Sequence, residues 1–245
     1  MTELLGIDIG GSGIKAALVD CESGELCSER VRIATPRPAT PDSVAGAVTE
    51  LVSQLDYSGP VGCCFPTIVV DGRAKSASNM EREWVGVAID ETFSEATGLP
   101  FTVINDADAA GVAEMRLGAG VGLSGTVITL TIGTGIGSAF FYEGQLVPNL
   151  ELGHMAGHDG VPYERWASNR ARKTDDLSWE EWAVRFDGFL QRAARVCTPD
   201  HFILGGGASK KYEEFSDGIT VETPIHIARF LNDAGIIGAA MAVRQ

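Results

Sequence analysis

The chain has 245 residues, 44% of them hydrophobic, and a formal net charge of −14. That length allows one large domain or two modest ones around a packed core. The acidic balance argues against general nucleic-acid or anionic-membrane binding, and glycines and charges interrupt every apolar run before it reaches a membrane span.

A strand opens almost at Met1, which leaves no room for a signal peptide. Five cysteines (Cys21, Cys27, Cys63, Cys64, Cys197), an odd count with no C-x-x-C pair, fit reduced thiols. Together these predict a cytoplasmic protein. Leu5, Ile7 and Ile9 read as a buried strand, Gly10-Gly11-Ser12-Gly13 as a turn, and Ile14, Ala16, Leu18 and Val19 as the returning strand. Such a turn brings bare backbone N–H groups to an anion, and the Ser12 hydroxyl and Lys15 can add donors. Asp8 lies inside the apolar strand, where an unpaired carboxylate is costly. It is expected to face a mouth that holds a hydrated Mg²⁺. A plain hairpin with a solvated lysine and an edge aspartate is the alternative.

The proline-rich connector ATPRPATP (34–41) follows, and Asp42 or Ser43 is expected to cap a helix with Val44, Val48, Leu51, Val52 and Leu55 on its apolar face. Val61–Phe65 reads as a buried strand. Ile68–Val70, an Asp71-Gly72 turn and a strand from Arg73 to Ala77 come next. Asn79 suits a sugar hydroxyl, since an amide both donates and accepts, and suits a turn equally well. A helix from Asp90 to Thr97 should end at Gly98. The strand Phe101–Ile104 runs into Asn105-Asp106 and then an alanine-rich helix, Ala107–Leu117, with Glu114 and Arg116 expected outside. Asp106 therefore sits at the carboxyl end of a strand, where open α/β sheets bind ligands. Asp108 is the alternative helix cap.

Thr126–Leu146 repeats the opening plan: an apolar strand, Gly133-Thr134-Gly135-Ile136-Gly137, an apolar strand and a polar turn. Gly11-Ser12-Gly13-Ile14 aligns with Gly133-Thr134-Gly135-Ile136. Neither turn is a Walker loop, and neither is a GxGxxG turn leading into a helix. Two such turns on similar halves predict a duplicated domain holding a nucleotide or phosphate chain. Glu151 and His154 are three residues apart and can point into one cleft. His154 and His158 have the spacing of a metal pair on a helix, but the surrounding glycines disfavour a regular helix.

Glu164–Lys173 is expected as one helix carrying Arg165, Arg170, Arg172 and Lys173, with a solvated face as the alternative. Ser178 and Glu181 form a capping-box signature ahead of a stripe of Trp182, Phe186, Phe189, Leu190, Ala193 and Val196. His201–Leu204 ends in Gly205-Gly206-Gly207, a third close-approach turn, followed by Lys210 and Lys211. Thr223–Ile227 reads as a strand. Asn232 or Asp233 should cap the last helix, whose small residues suit close packing.

These landmarks resemble the ROK family of bacterial sugar kinases over nearly the whole chain: Asp8-Ile9-Gly10-Gly11-Ser12 with Lys15, Asn105-Asp106, Gly133-Thr134-Gly135-Ile136-Gly137, Glu151-Leu152-Gly153-His154 and Gly205-Gly206-Gly207. The TPRPATP connector, PNLELGH and the closing AGIIGAAMA are similar to the branch that uses inorganic polyphosphate. The resemblance implies an α/β, duplicated actin-like ATPase (ribonuclease H-like) fold with two lobes around a cleft. The lobes are expected at 1–105, with 232–245 packing back, and at 106–231.

It also implies a kinase acting on the 6-hydroxyl of glucose, with polyphosphate as donor. An ATP-dependent glucokinase or related hexose kinase is the alternative, and a non-catalytic sugar-binding regulator is a third. Asp106 matches the general base. Asn105, Glu151, His154 and Glu164 match sugar ligands. Asp8 matches the Mg²⁺ carboxylate. Gly10, Gly11, Ser12, Lys15, Gly133, Thr134, Gly135, Gly205 and Gly206 match phosphate contacts. A homodimer is expected. The zinc loop that most of the family carries after E-x-G-H is missing, so no zinc is expected. The family's Pro-Gly is Pro66-Thr67 here.

Overall fold

The computed structural model describes residues 3–77, 80–157 and 160–243. Asn79 and His158 lie outside the described residues. Among the described residues no helix is long and apolar enough to cross a membrane. The chain forms two compact units, Met1–Ala113 with Asp233–Gln245, and Glu114–Asn232.

The first unit contains β1 (Glu3–Gly10), β2 (Gly13–Asp20), β3 (Val31–Ile33), α1 (Pro41–Gln54), β4 (Val61–Phe65), β5 (Val69–Val70), β6 (Arg73–Ala74), α2 (Ile89–Thr97), β7 (Phe101–Asn105) and the start of α3 (Asp106–Leu117). Its sheet runs β3-β2-β1-β4-β7. β1, β2 and β3 pair antiparallel, and β4 and β7 add parallel to β1.

The second unit contains β8 (Thr126–Ile132), β9 (Ile136–Tyr142), β10 (Gln145–Val147), α4 (Glu164–Ala167), α5 (Asn169–Thr174), α6 (Trp179–Cys197), β11 (His201–Gly205), α7 (Gly206–Ser209) and β12 (Ile225–Ile227). The sheet order β10-β9-β8-β11-β12 and its pairing senses reproduce the first sheet strand for strand. The duplication expected from the two glycine turns is thus present in the whole sheet. The last helix, α8 (Ala234–Ala242), belongs to the first unit. The sequence expectation placed the division at 105/106, the N-terminus of α3; the chain passes between units inside that helix, after Ala113, and returns at Asp233.

Alternation along the strands sorts the first core. Leu5, Ile7, Ile9, Cys63 and Phe65 pack with α1 and α2 around an aromatic group in which Phe65 is tilted against Trp84 and Phe93 and those two meet edge to face. On the other face Cys64, Ala109 and Ala239 meet. There α8 approaches so closely that a side chain at Gly6 or Gly62 would strike the carbonyls of Ile236 or Ala239. In the second unit Ile128, Leu130 and Ile132 pack on Trp182, Phe186, Phe189 and Leu190 of α6.

Local chemistry corrects several expectations. α1 is capped by Thr40, whose hydroxyl accepts from the Ser43 N–H, and not by Asp42 or Ser43. Pro41 then takes the first helical position, where its missing N–H costs nothing. The second strand of the β5–β6 hairpin is only Arg73–Ala74, and Asp71 and Gly72 both take positive φ as a two-residue hairpin requires. Gly98 ends α2 in the left-handed conformation, as expected. Glu114 is 3% exposed, not outside: its carboxylate accepts from the N–H groups of Ala119, Arg229 and Phe230 at 3.0, 2.9 and 2.7 Å.

The expected helix 164–173 breaks in two, because Ser168 is extended and caps α5 through the Ala171 N–H. The capping box at Ser178–Glu181 is present, but Val196 is 67% exposed, beyond the end of the α6 stripe. Asp233 stands at the head of α8 without capping it, and its carboxylate takes Arg30 at 2.6 Å instead.

Candidate active site

In the first unit the glycine turn joins β1 to β2, so Asp8 and Lys15 are cross-strand partners. Lys15 Nζ donates to Asp8 Oδ2 at 2.8 Å, and the Cys64 thiol lies 3.5 Å from Oδ1. The Asp8 side chain stays 18% exposed. Burial and the Asp8 charge push the Cys64 thiol well up, so it stays a neutral donor. Gly235, at the head of α8, leaves room beside the carboxylate; a side chain there would sit 3.3 Å from Asp8 Cγ.

The turn itself is braced from the connector. Thr35 donates to the Gly10 carbonyl at 2.5 Å, Arg37 to Gly11 at 2.8 Å and Arg32 to Ser12 at 3.0 Å. Sequence reasoning missed both arginines. Their targets are backbone carbonyls, which leave no residue signature; the only available cue was the pairing of β2 with a third strand.

Asn105 and Asp106 stand where β7 becomes α3. Asn105 is buried; Oδ1 accepts from Ala107 and Asp108 N–H at 2.8 and 3.0 Å, and Nδ2 donates to the Thr67 carbonyl at 3.0 Å. Asn105 is therefore the cap of α3 that had been sought in Asp106 or Asp108, and its amide is largely committed to that work. Asp106 is exposed, and its Oδ1 accepts from the Ala107 N–H at 2.9 Å. Thr67 turns its hydroxyl into its own loop, onto Ser76.

In the second unit three predicted sugar residues converge. His154 Nε2 lies 3.6 Å from Glu164 Oε1, and the Glu151 carboxyl is raised, chiefly by burial, with His154 opposing and Glu164 adding to the rise. The Glu151 loop is pinned by Ser138, whose hydroxyl donates to the Leu150 carbonyl and accepts from the Leu152 N–H at 2.8 Å. Leu152–His154 is a single 3₁₀ turn, too tight for the metal-pair helix that the histidine spacing suggested.

The second glycine turn is tied to this cluster. Glu164 Oε2 accepts from the Ile136 N–H at 3.1 Å, and a side chain at Gly135 would displace that carboxylate. The Gly133 carbonyl accepts from Arg170 N–H at 3.1 Å. Gly206 takes φ +77 and packs on the Ile132 backbone, which explains the third glycine turn as a close approach of α7 to β8.

Of the other cations singled out in the sequence, Arg165, Arg170, Lys173 and Lys210 are exposed. Arg172 is structural: it lies 4.0 Å over the Trp179 ring and donates to the Leu177 carbonyl at 2.9 Å. Lys211 pairs with Glu214 at 2.7 Å.

The model of the ROK family matches residues 4–164. The chain is 41% identical over 238 residues to a polyphosphate glucokinase of Mycobacterium tuberculosis, covering 97% of this chain and 89% of that protein. The crystal structure of an inorganic polyphosphate/ATP-glucomannokinase from Arthrobacter sp. strain KM superposes with a TM-score of 0.95 at 46% identity, over 100% of both chains. A ROK family glucokinase from Streptomyces griseus, solved with glucose and AMPPNP, gives 0.85 at 26% identity over 99% of both. These neighbours share the actin-like ATPase fold.

Proposed function

Because the chain belongs to the ROK family, we propose that it phosphorylates the 6-hydroxyl of glucose, with inorganic polyphosphate as donor and ATP as a second donor. The observation that carries the reading is the likeness, over 97% or more of this chain, to a polyphosphate glucokinase and a polyphosphate/ATP-glucomannokinase. The gathering of Glu151, His154 and Glu164 beside a glycine turn supports it.

Phosphoryl transfer is mainly positioning and charge neutralisation. Asp106 takes the proton from the attacking hydroxyl; its exposure at the head of α3 supports that role. Asn105 sets the geometry of that helix start and has at most one N–H left for a sugar. Glu151, His154 and Glu164 pair sugar hydroxyls. Asn79, outside the described residues, is kept as a further sugar ligand on the sequence reading alone. Gly10, Gly11, Ser12 and Lys15, with Gly133, Thr134, Gly135, Gly205 and Gly206, hold phosphates.

The partly exposed carboxylate of Asp8, with the space beside it kept by Gly235, fits a Mg²⁺ held through water. When bound, that ion supplies neutralising charge to the transferred group.

The test is glucose phosphorylation with long-chain polyphosphate and with ATP at matched Mg²⁺, across a salt series. Polyphosphate turnover that weakens with salt is expected, since screening shortens the reach of exposed charges. Turnover with ATP alone overturns the donor and leaves the sugar kinase standing.

A further inference from the structure

The first glycine turn carries more positive charge than a terminal phosphate requires. Register places Asp8, Lys15 and Arg32 opposite one another on β1, β2 and β3. The row thus runs from the metal-type carboxylate toward the sheet edge. Lys15 is neutralised by Asp8. Arg32 is not: among the described residues neither it nor Arg37 forms an ion pair with a carboxylate, and both are exposed.

Instead the two guanidiniums rest on consecutive carbonyls of the turn, Gly11 and Ser12, at 2.8 and 3.0 Å. Arg32 lies flat enough over the backbone that a side chain at Gly13 would sit 2.8 Å from its nitrogens. Each bond uses one of five N–H donors and leaves the rest of a planar fork for an anion. Two adjacent unpaired guanidiniums are conspicuous in a chain of net charge −14. A multivalent anion can accept from both forks, because they rest on consecutive residues of one turn. The trans peptide between Gly11 and Ser12 sends its N–H to the edge opposite the Gly11 carbonyl. At that peptide the turn therefore presents an N–H on the side away from the Arg37 guanidinium.

We propose that Arg32 and Arg37 form a subsite for the inner phosphates of a linear polyphosphate whose terminal phosphates lie on that N–H side of the turn. The subsite makes the enzyme discriminate donors by chain length. The inference rests on the polyphosphate donor reading and adds the residues that hold the polymer beyond its reacting end.

The experiment compares wild type with Arg32→Gln/Arg37→Gln and with Arg37→Lys. Each preparation is assayed for kcat/KM with long-chain polyphosphate and with tetrapolyphosphate. The ratio of the two donors is independent of the fraction of protein folded. The double variant should lower the long-to-short ratio by about tenfold or more, as loss of charge-assisted bonds implies. It should also flatten the salt dependence of the long donor. Arg37→Lys should fall between, keeping charge without the fork. An unchanged ratio overturns the proposal and leaves the arginines as braces of the turn. Wild type that turns over ATP but neither polyphosphate overturns the donor reading itself and this subsite with it.

Discussion

Replacing Asp106 by asparagine separates chemistry from architecture at the site. The carboxylate stands in the first turn of α3, exposed, with Oδ1 accepting from the Ala107 N–H at 2.9 Å. An asparagine amide oxygen has the same shape and can keep that bond. The helix does not depend on it, because Asn105 Oδ1 already accepts from Ala107 and Asp108. The stability change should stay within about 0.5 kcal/mol, as for surface substitutions that break no special feature.

What asparagine cannot do is accept a proton. A positioned general base is worth about 10²–10⁴ in rate, or roughly 2.7–5.5 kcal/mol of barrier at about 1.36 kcal/mol per tenfold. The assay is glucose 6-phosphate formation at saturating donor, read through a coupled dehydrogenase, with thermal unfolding alongside. The expected result is kcat down by at least about a hundredfold, glucose KM close to wild type and an unchanged melting temperature. A folded variant retaining kcat within about tenfold of wild type, below the span of base catalysis, would refute Asp106 as the base.

Glu151→Gln should raise glucose KM by about five- to tenfold, since a neutral acceptor bond is roughly half as strong as a charged one. Burial holds the Glu151 carboxyl above its usual 4.5, so wild-type glucose KM should begin to rise on acidification before an ordinary glutamate would protonate, and the variant should lose that rise. The stability sign is opposite. A carboxyl raised on folding stabilises the protein below its unfolded pKa and loses that contribution as pH rises through the folded one. Glu151→Gln should therefore melt no lower than wild type at neutral pH, and a clear loss of stability there would show that the carboxylate is structurally required. Gly62→Ala should cost about 1–3 kcal/mol in urea unfolding, because the new methyl lands on the Ala239 carbonyl. Gly46→Ala, in the middle of α1 with nothing near, should gain about 0.5–1 kcal/mol; equal effects of the two would mean that α8 does not pack as described.

Features carried by local spacing were readable in the chain. The two strand–turn–strand copies, the Gly98 cap and the Ser178–Glu181 box each announce themselves within a few residues, and the structure contains all of them. Features made with distant backbone were not. Glu114 shares a helix with Arg116 and reads as a solvated charge. Its partners at 229 and 230 are main-chain N–H groups that any sequence would supply. Ser168 breaks 164–173 because its hydroxyl offers a cap, and an alanine- and arginine-rich stretch gave no other hint. For the site, residue types pointed to Glu151 and His154, and the family resemblance added Glu164. The commitment of Asn105 to capping and of Arg32 and Arg37 to turn carbonyls became visible only with coordinates.

The placement of α8 also bears on how the protein is made. Its backbone fills the grooves left by Gly6 of β1 and Gly62 of β4, yet it is translated only after the entire second unit, 114–232. The ribosome therefore releases β1, β4 and β7 with one face of their sheet lacking its α8 cover. They must wait through more than a hundred residues of synthesis before the covering helix emerges, whereas the second unit, contiguous in sequence, can fold as soon as it clears the exit tunnel. During that interval Cys64, which the folded unit buries against Ala239 of α8, is open to chaperones and to aggregation. Substitutions that slow α8 docking should therefore lower the yield of folded protein in the cell more than their equilibrium cost indicates.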